Sequence, residues 1–183
     1  MRGFRLFGRC AAILILAPFA GATTILIDFG RADNQTEEGN FNNVSGTGTG
    51  LDTPSLELID SEGGATGISL EVDFSGGGSW AGEQADYSGP FPDELSGLPE
   101  SALQDSMFIR APASSILMLT GLDAGTTYDI LIYGARSNNG GANSEWTFTD
   151  TSGDTLIGFD VFENATEVAV FEGLVPDANN QLI

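Results

Sequence analysis

The chain of 183 residues carries 26 acidic and six basic side chains, and it contains no histidine and no lysine. Without these residue types it cannot form a Ser-His-Asp triad, a Cys-His pair, a Schiff-base lysine or a histidine-containing zinc site. The negative charge also disfavours binding to nucleic acid and to anionic membrane surfaces. We therefore expect no nucleic-acid partner.

The N-terminus has the pattern of a secretory signal peptide. Three arginines, Arg2, Arg5 and Arg9, precede an apolar run over residues 11–19, and Ala20-Gly-Ala22 supplies small residues for cleavage. The run is shorter than the roughly 20 residues that a membrane span needs. We predict that residues 1–22 are a signal peptide and that no membrane span remains after cleavage. The mature protein would be secreted, periplasmic or extracellular, and it would lack the chain's single cysteine, Cys10.

Period-two alternation of apolar residues predicts a series of short strands within one domain, residues 23–183. The predicted strands cover residues 24–29, 55–59, 68–74, 115–122, 128–134, 145–149, 155–162 and 167–174. Glycine-rich connections separate them, and the one predicted helix covers residues 100–105. The pattern predicts an all-β fold, a two-sheet antiparallel β-sandwich.

A tyrosine corner is predicted between two of these strands. Gly121-Leu122 ends one strand, Gly125-Thr-Thr follows a turn, and Tyr128 opens the next strand. In such a corner the phenol hydroxyl forms a hydrogen bond with upstream backbone and fixes the crossover between packed sheets.

Two further stretches do not fit a regular strand pattern. Residues 80–99 are long and irregular, and we expect them to cross an edge or an end of the sandwich. Residues 181–183 resemble the start of a final strand. Two interpretations of these last residues stay open, a very short last strand or a truncated gene product.

Several short motifs together resemble a known family. Ile25-Leu-Ile-Asp-Phe-Gly30, then Gly39-Asn-Phe-Asn-Asn-Val44, the corner, Asn164 and Pro176-Asp177 are similar, in this order, to bacterial secreted domains with a galactose-binding-like jelly roll. Many such domains occur in extracellular proteins with a C-terminal PEP-type sorting anchor, whose motif, helix and basic tail this sequence lacks. The resemblance implies a jelly-roll sandwich and an extracellular, glycan-associated module.

A sugar site would combine aromatic rings with a few polar groups. Trp80 and Tyr87 lie in the irregular stretch, outside the strands that supply the core, and Arg136 and Asn138 follow a strand end. We predict that these four residues bind a ligand. The competing interpretation of Arg136 is a surface ion pair of small energetic value.

A structural calcium ion is the one cofactor that the residues favour. Asp33, Asn34 and Glu37 place oxygen ligands, which calcium prefers, within one loop. The residues between 150 and 154 form a second acidic cluster, and both stretches can equally be polar turns that favour Asp and Asn for backbone reasons.

The function predicted from these observations is that of an exported non-catalytic module, which binds glycan or contributes to matrix or cell-surface structure. The alternative is a carboxylate-dependent glycan-active enzyme, or an accessory domain of one, since paired carboxylates can hydrolyse glycosidic bonds. Candidate acids such as Asp28, Asp93 and Glu94 are numerous, but no spacing identifies a pair. The oligomeric state is left undetermined.

Overall fold

A computed structural model describes residues 13–17, 23–30, 32–33, 35–47, 50–51, 55–73, 83–85, 87–107, 114–135, 137 and 143–183. Strands predominate among them, which confirms the all-β prediction. In chain order the strands are β1 (Ile13–Ala17), β2 (Ile25–Phe29), β3 (Asn42–Val44), β4 (Gly46–Thr47), β5 (Gly50–Leu51), β6 (Ser55–Ile59), β7 (Ala65–Asp73), β8 (Glu83–Ala85), β9 (Asp105–Met107), β10 (Ile116–Thr120), β11 (Tyr128–Ile132), β12 (Asn143–Asp150), β13 (Gly153–Asp160) and β14 (Ala169–Leu174). A single 3₁₀ turn, Asp93–Leu95, and the short helix α1, Glu100–Gln104, complete the regular structure of these residues.

The two larger sheets contain most of the predicted strands. One sheet has five strands in the order β14-β11-β1-β2-β3, and the other has three in the order β10-β7-β6. Neighbouring strands are antiparallel except for β2 and β3, which are parallel. The remaining strands form two-stranded pairs, of which β12 with β13 is the longest.

Side chains of both larger sheets meet in the first core cluster. Alternate residues of β2, namely Ile25, Ile27 and Phe29, lie in it together with Leu70 of β7 and Leu119 of β10. This follows from the alternation of side chains along a strand, which places every second residue on the same face. The buried residues of β12, β13 and β14 extend the cluster.

The opposite face of the five-stranded sheet is covered by the irregular stretch. Leu26 of β2 belongs to a second core cluster with Tyr87, Leu95 and Leu103, and Leu131 of β11 packs against it. The described part of this stretch therefore lies on a sheet face, and our expectation that it crosses an edge or an end was wrong. All five residues of β2 are buried because the sheet is covered on both faces at this strand.

The predicted tyrosine corner is present. The backbone N–H of Asp123 donates a 2.9 Å hydrogen bond to the phenol oxygen of Tyr128, and the Tyr128 ring is buried. Leu119 and Leu122 are buried beside it, as are Ile130 and Ile132 in the strand that Tyr128 opens. The corner thus connects β10 of one larger sheet with β11 of the other.

The two ends of the chain both contact strands. β1, which lies inside the predicted signal peptide, pairs with β2 on one side and with β11 on the other. Near the other end, Leu182 is buried and exchanges two backbone hydrogen bonds of 3.0 Å with Leu119. Among the described residues, no helix is long and apolar enough to span a membrane.

Candidate functional site

Two connections that carry predicted site residues leave the five-stranded sheet at the same edge. β1 is antiparallel to both β2 and β11, so β2 and β11 run in the same direction and their C-terminal ends lie together. The chain after β2 leads to Asp33 and Glu37, and the chain after β11 leads into residues 133–142. With one strand between them, the two ends are separated by about twice the strand spacing, roughly 10 Å. We call this end of the sheet the shared edge.

The loop after β2 is anchored at Thr36, while its acidic side chains are exposed. Thr36 is 1% exposed, and its hydroxyl forms a 3.0 Å hydrogen bond with the Ser101 hydroxyl at α1. Its backbone N–H and C=O both bond to the amide of Asn43, at 2.8 and 2.9 Å. Asp33 and Glu37 flank this anchor at the surface. The loop is therefore held at its centre and presents carboxylates to solvent on both sides.

The asparagines of the Gly39–Val44 motif hold the same region to its neighbours. The buried Asn42 side chain donates to the Leu26 and Ile59 carbonyls, at 2.9 and 2.8 Å, and accepts from the Ile59 N–H at 2.9 Å. It thereby links β2 of the five-stranded sheet with β6 of the three-stranded sheet. Asn40 donates to the Ser61 carbonyl at 3.0 Å. These amides have structural partners, and this accounts for the motif without a ligand.

On the β11 side, a buried tyrosine fixes the start of the second connection. Tyr133 is fully buried and its hydroxyl donates to the Asn164 carbonyl at 2.8 Å. The Asn164 amide in turn donates to the carbonyls of Gly134 and Glu167, at 3.0 and 2.7 Å. Burial, with a smaller contribution from the nearby Tyr87 phenol, raises the pKa of Tyr133 well above its usual value. The phenol therefore stays protonated and acts as a hydrogen-bond donor.

Tyr87 lies inside the second core cluster. The side chain is 5% exposed, its hydroxyl donates to the Pro90 carbonyl at 2.6 Å, and its ring meets the Phe91 ring edge to face at 5.6 Å. Burial and the Glu163 carboxylate raise the pKa of the phenol. In this position the ring packs against other side chains and presents no face to solvent.

The remaining predicted site residues are divided between described and undescribed segments. Asp33 and Glu37 lie at the shared edge, as given above. Trp80, Asn34, Arg136 and Asn138 lie outside the described residues. Ala135 is buried and Ser137 is partly exposed, so described residues flank Arg136 on both sides.

The second acidic cluster forms a turn. The Asp150 carboxylate accepts hydrogen bonds from the Ser152 N–H and hydroxyl and from the Val175 N–H, and Asp154 accepts one from the Thr149 hydroxyl. The Ser152 hydroxyl, with backbone N–H groups, lowers the pKa of Asp150 against the opposing effect of partial burial. Across the described part of the chain, no group of three or more acidic or other metal-binding side chains is placed to hold a metal ion.

An apolar cavity of about 20 Å³ lies within the first core cluster. Its lining comes from both larger sheets and from β12, and includes Phe29, Leu119 and Phe148. A space of this size holds about one water molecule, and a water without polar partners is unfavourable. The cavity does not have the size of a ligand site.

Compared with known proteins, the chain matches no protein-family model, no curated protein and no solved structure.

Three features of this region were not identified from the sequence. Asn42 and Tyr133 were not distinguished from other asparagines and tyrosines, and Asp28 was one acid among many. Asp28 is 2% exposed on β2, level with Asn43 of the adjacent β3. The only available signal was position, because Asp28 interrupts an otherwise apolar strand and Asn42 lies in a motif with three asparagines.

Proposed function

We propose that this chain is an exported, non-catalytic module that binds glycan or contributes to matrix or cell-surface structure, and that its ligand binds at the shared edge. The observation that carries the proposal is the common direction of β2 and β11. It brings together the C-terminal ends of β2 and β11, from which the chain continues towards Asp33 in one case and towards Arg136 and Asn138 in the other. Loops at one end of a rigid sheet are a frequent location of binding residues. At β2 both sheet faces are covered, so a ligand would reach this strand at its end.

The same proposal includes a two-sheet jelly-roll sandwich of galactose-binding-like type. It is supported by the first core cluster, which contains side chains from both larger sheets, and by the tyrosine corner between them. An experimental structure in which β7 and β10 do not face β2 and β11 would contradict it.

Glycan-array binding tests the ligand proposal. Arg136→Ala should reduce binding about tenfold or more, because a hydrogen bond to a charged group contributes roughly 1.5–3 kcal/mol. Asn138→Ala should reduce it about two- to tenfold, because a neutral hydrogen bond contributes roughly 0.5–1.5 kcal/mol. The matched control is Glu172→Gln, since Glu172 is exposed in the part of β14 that lies near the opposite end of the sheet. Equal binding by all three variants would place the ligand elsewhere. Glycan hydrolysis that one Asp or Glu substitution abolishes would establish the glycan-active enzyme instead.

We further propose that Asp33, Asn34 and Glu37 contribute to a structural calcium site. Binding to the native state alone stabilises it by about 2.7 kcal/mol at a hundredfold excess over Kd. The melting temperature should therefore rise with millimolar Ca²⁺, and Asp33→Ala should abolish the rise, whereas Asp93→Ala, at another exposed acid, should preserve it. Equal shifts with Mg²⁺ and Ca²⁺ that persist in Asp33→Ala would reduce the effect to general screening.

Export is proposed with cleavage after Ala22. Mass spectrometry of the native protein should find Thr23 at the N-terminus in the periplasmic or extracellular fraction. A native protein that begins at Met1 would contradict export through this signal.

A further inference from the structure

β1 has two roles that exclude each other. Its five residues, Ile13–Ala17, are the central strand of the five-stranded sheet. Ile15 is level with Leu26 of β2 on one side and with Leu131 of β11 on the other. The same residues belong to the apolar part of the predicted signal peptide. Cleavage after Ala22 would therefore remove the strand that holds the centre of the sheet.

Removal of β1 would leave a slot bounded by two unpaired strand edges. β2 and β11 would face each other at about twice the strand spacing, roughly 10 Å. Their ladder N–H and C=O groups would lose their partners, and unpaired strand edges readily accept another strand. Because β1 is antiparallel to both neighbours, an incoming strand in the same direction restores both ladders.

Packing on both faces opposes closure of this slot. Ile27 and Ile130 share the first core cluster, and Leu26 shares the second core cluster against which Leu131 packs. Residues of both strands are thus anchored in the same two clusters, which favours positions of β2 and β11 on either side of β1.

Hydrogen bonds also hold β2 on its outer side. Asn42 bonds to the Leu26 carbonyl at 2.9 Å, Ser61 N–H to the Thr24 carbonyl at 2.7 Å, and Gly30 N–H to the Val44 carbonyl at 3.2 Å. A shift of β2 by one strand spacing toward β11 would break these bonds.

We propose that removal of residues 1–22 turns the position of β1 into an acceptor site for an extended apolar segment of another polypeptide. The proposal rests on the cleavage included in the proposed function. Strand addition of this kind obtains affinity from main-chain hydrogen bonds and specificity from alternate side chains. The neighbouring residues Leu26 and Ile27 are covered on opposite faces, so the incoming strand is apolar on both faces. It has about five residues and no central proline, as in the Ile-Leu-Ile-Leu-Ala sequence of β1.

The test uses the full chain with a specific protease site inserted between Ala22 and Thr23. After cleavage of the folded protein, fragment 1–22 should co-elute with residues 23–183 in size-exclusion chromatography. A labelled synthetic peptide of residues 1–22 should then exchange into the slot and protect backbone amides of β2 and β11 from hydrogen exchange. The same peptide with Ile15→Pro has equal charge but lacks a ladder N–H, and it should bind about tenfold or more weakly.

Two results would overturn the proposal. The first is release of the fragment after cleavage, because the slot then closes or fails to hold a strand. The second is equal binding of both peptides, because the three arginines of the peptide rather than strand pairing would then cause the association. Since cleavage is performed in vitro, either result concerns the slot alone. Failure of the export proposal is seen separately, as a native N-terminus at Met1.

Discussion

Replacing Gly121 with alanine should destabilise the protein far more than the same replacement at Gly67. Both glycines have a positive φ, +77° and +74°, and they lie close together, Gly121 just after β10 and Gly67 in β7. A Cβ atom added to Gly121 would lie 2.4 Å from the carbonyl oxygen of Gly67, whereas one added to Gly67 would have no atom within 4 Å. Only the first substitution forces backbone to move.

The expected magnitudes follow from two costs, that of the left-handed backbone conformation and that of overpacking. A left-handed conformation costs a residue with a Cβ atom about 1–2 kcal/mol, and both variants have this cost. Overpacking against atoms that cannot rotate away adds about 1–3 kcal/mol, and this applies to Gly121→Ala alone. We therefore expect a loss of about 1–2 kcal/mol for Gly67→Ala and about 2–5 kcal/mol for Gly121→Ala.

Urea denaturation followed by tryptophan fluorescence measures both variants. If the slope of the free energy against urea is unchanged, the shift in midpoint gives the change in the free energy of unfolding. Equal losses for the two variants would refute the reasoning, because the close approach of Gly121 to the Gly67 carbonyl would then have no energetic effect.

Three further changes test the hydrogen bonds described above. Tyr128→Phe removes the acceptor of the Asp123 N–H and should lower the free energy of unfolding by about 1–2 kcal/mol. Asp123→Pro lacks that N–H, so Tyr128→Phe should cost less in the Asp123→Pro background. An equal cost in both backgrounds would contradict the pairing. Asn42→Ala leaves three backbone groups without their side-chain partner and should cost about 3 kcal/mol or more in the same urea measurement; a loss below about 1 kcal/mol would contradict the link between the sheets. Because the Ser152 hydroxyl and backbone N–H groups lower the pKa of Asp150 in the folded state, its stabilising contribution is present above the ordinary value of 3.8 and is lost as the pH falls through the lowered value. The stability difference between the wild type and Asp150→Asn should therefore shrink between pH 7 and pH 3, and a constant difference would contradict the assignment.

The sequence predicted the strands whose two faces differ in environment. In β7 and β11 alternate residues are buried, and alternation in polarity is visible without any tertiary information. The corner was predictable for a similar reason, since Gly121 and Tyr128 occupy positions that a turn and a crossover require. α1 was also predicted within one residue of its observed end.

The second core cluster could not be predicted, because its members share no period. Tyr87, Leu95 and Leu103 come from irregular chain, a 3₁₀ turn and a short helix, and only the tertiary fold brings them onto one sheet face. For this reason Tyr87 was interpreted as a ligand-binding ring. β1 was not predicted as a strand either, since a basic segment followed by a short apolar run is also the pattern of a signal peptide.

Coverage of β2 on both faces connects the two proposals. A strand with one free face can bind a ligand on that face, but residues of β2 lie in the first core cluster on one face and in the second core cluster on the other. Binding at β2 can then use the end of the strand or the strand position beside it. The shared edge is of the first kind and the slot between β2 and β11 is of the second. Both depend on β2 and β11 remaining apart and in the same direction. The two core clusters favour that arrangement, since Ile27 and Ile130 belong to the first and Leu26 belongs to the second, against which Leu131 packs. A partner strand in the slot would therefore also fix the distance between the two loops of the shared edge, so that assembly with another polypeptide and ligand binding would stabilise the same conformation.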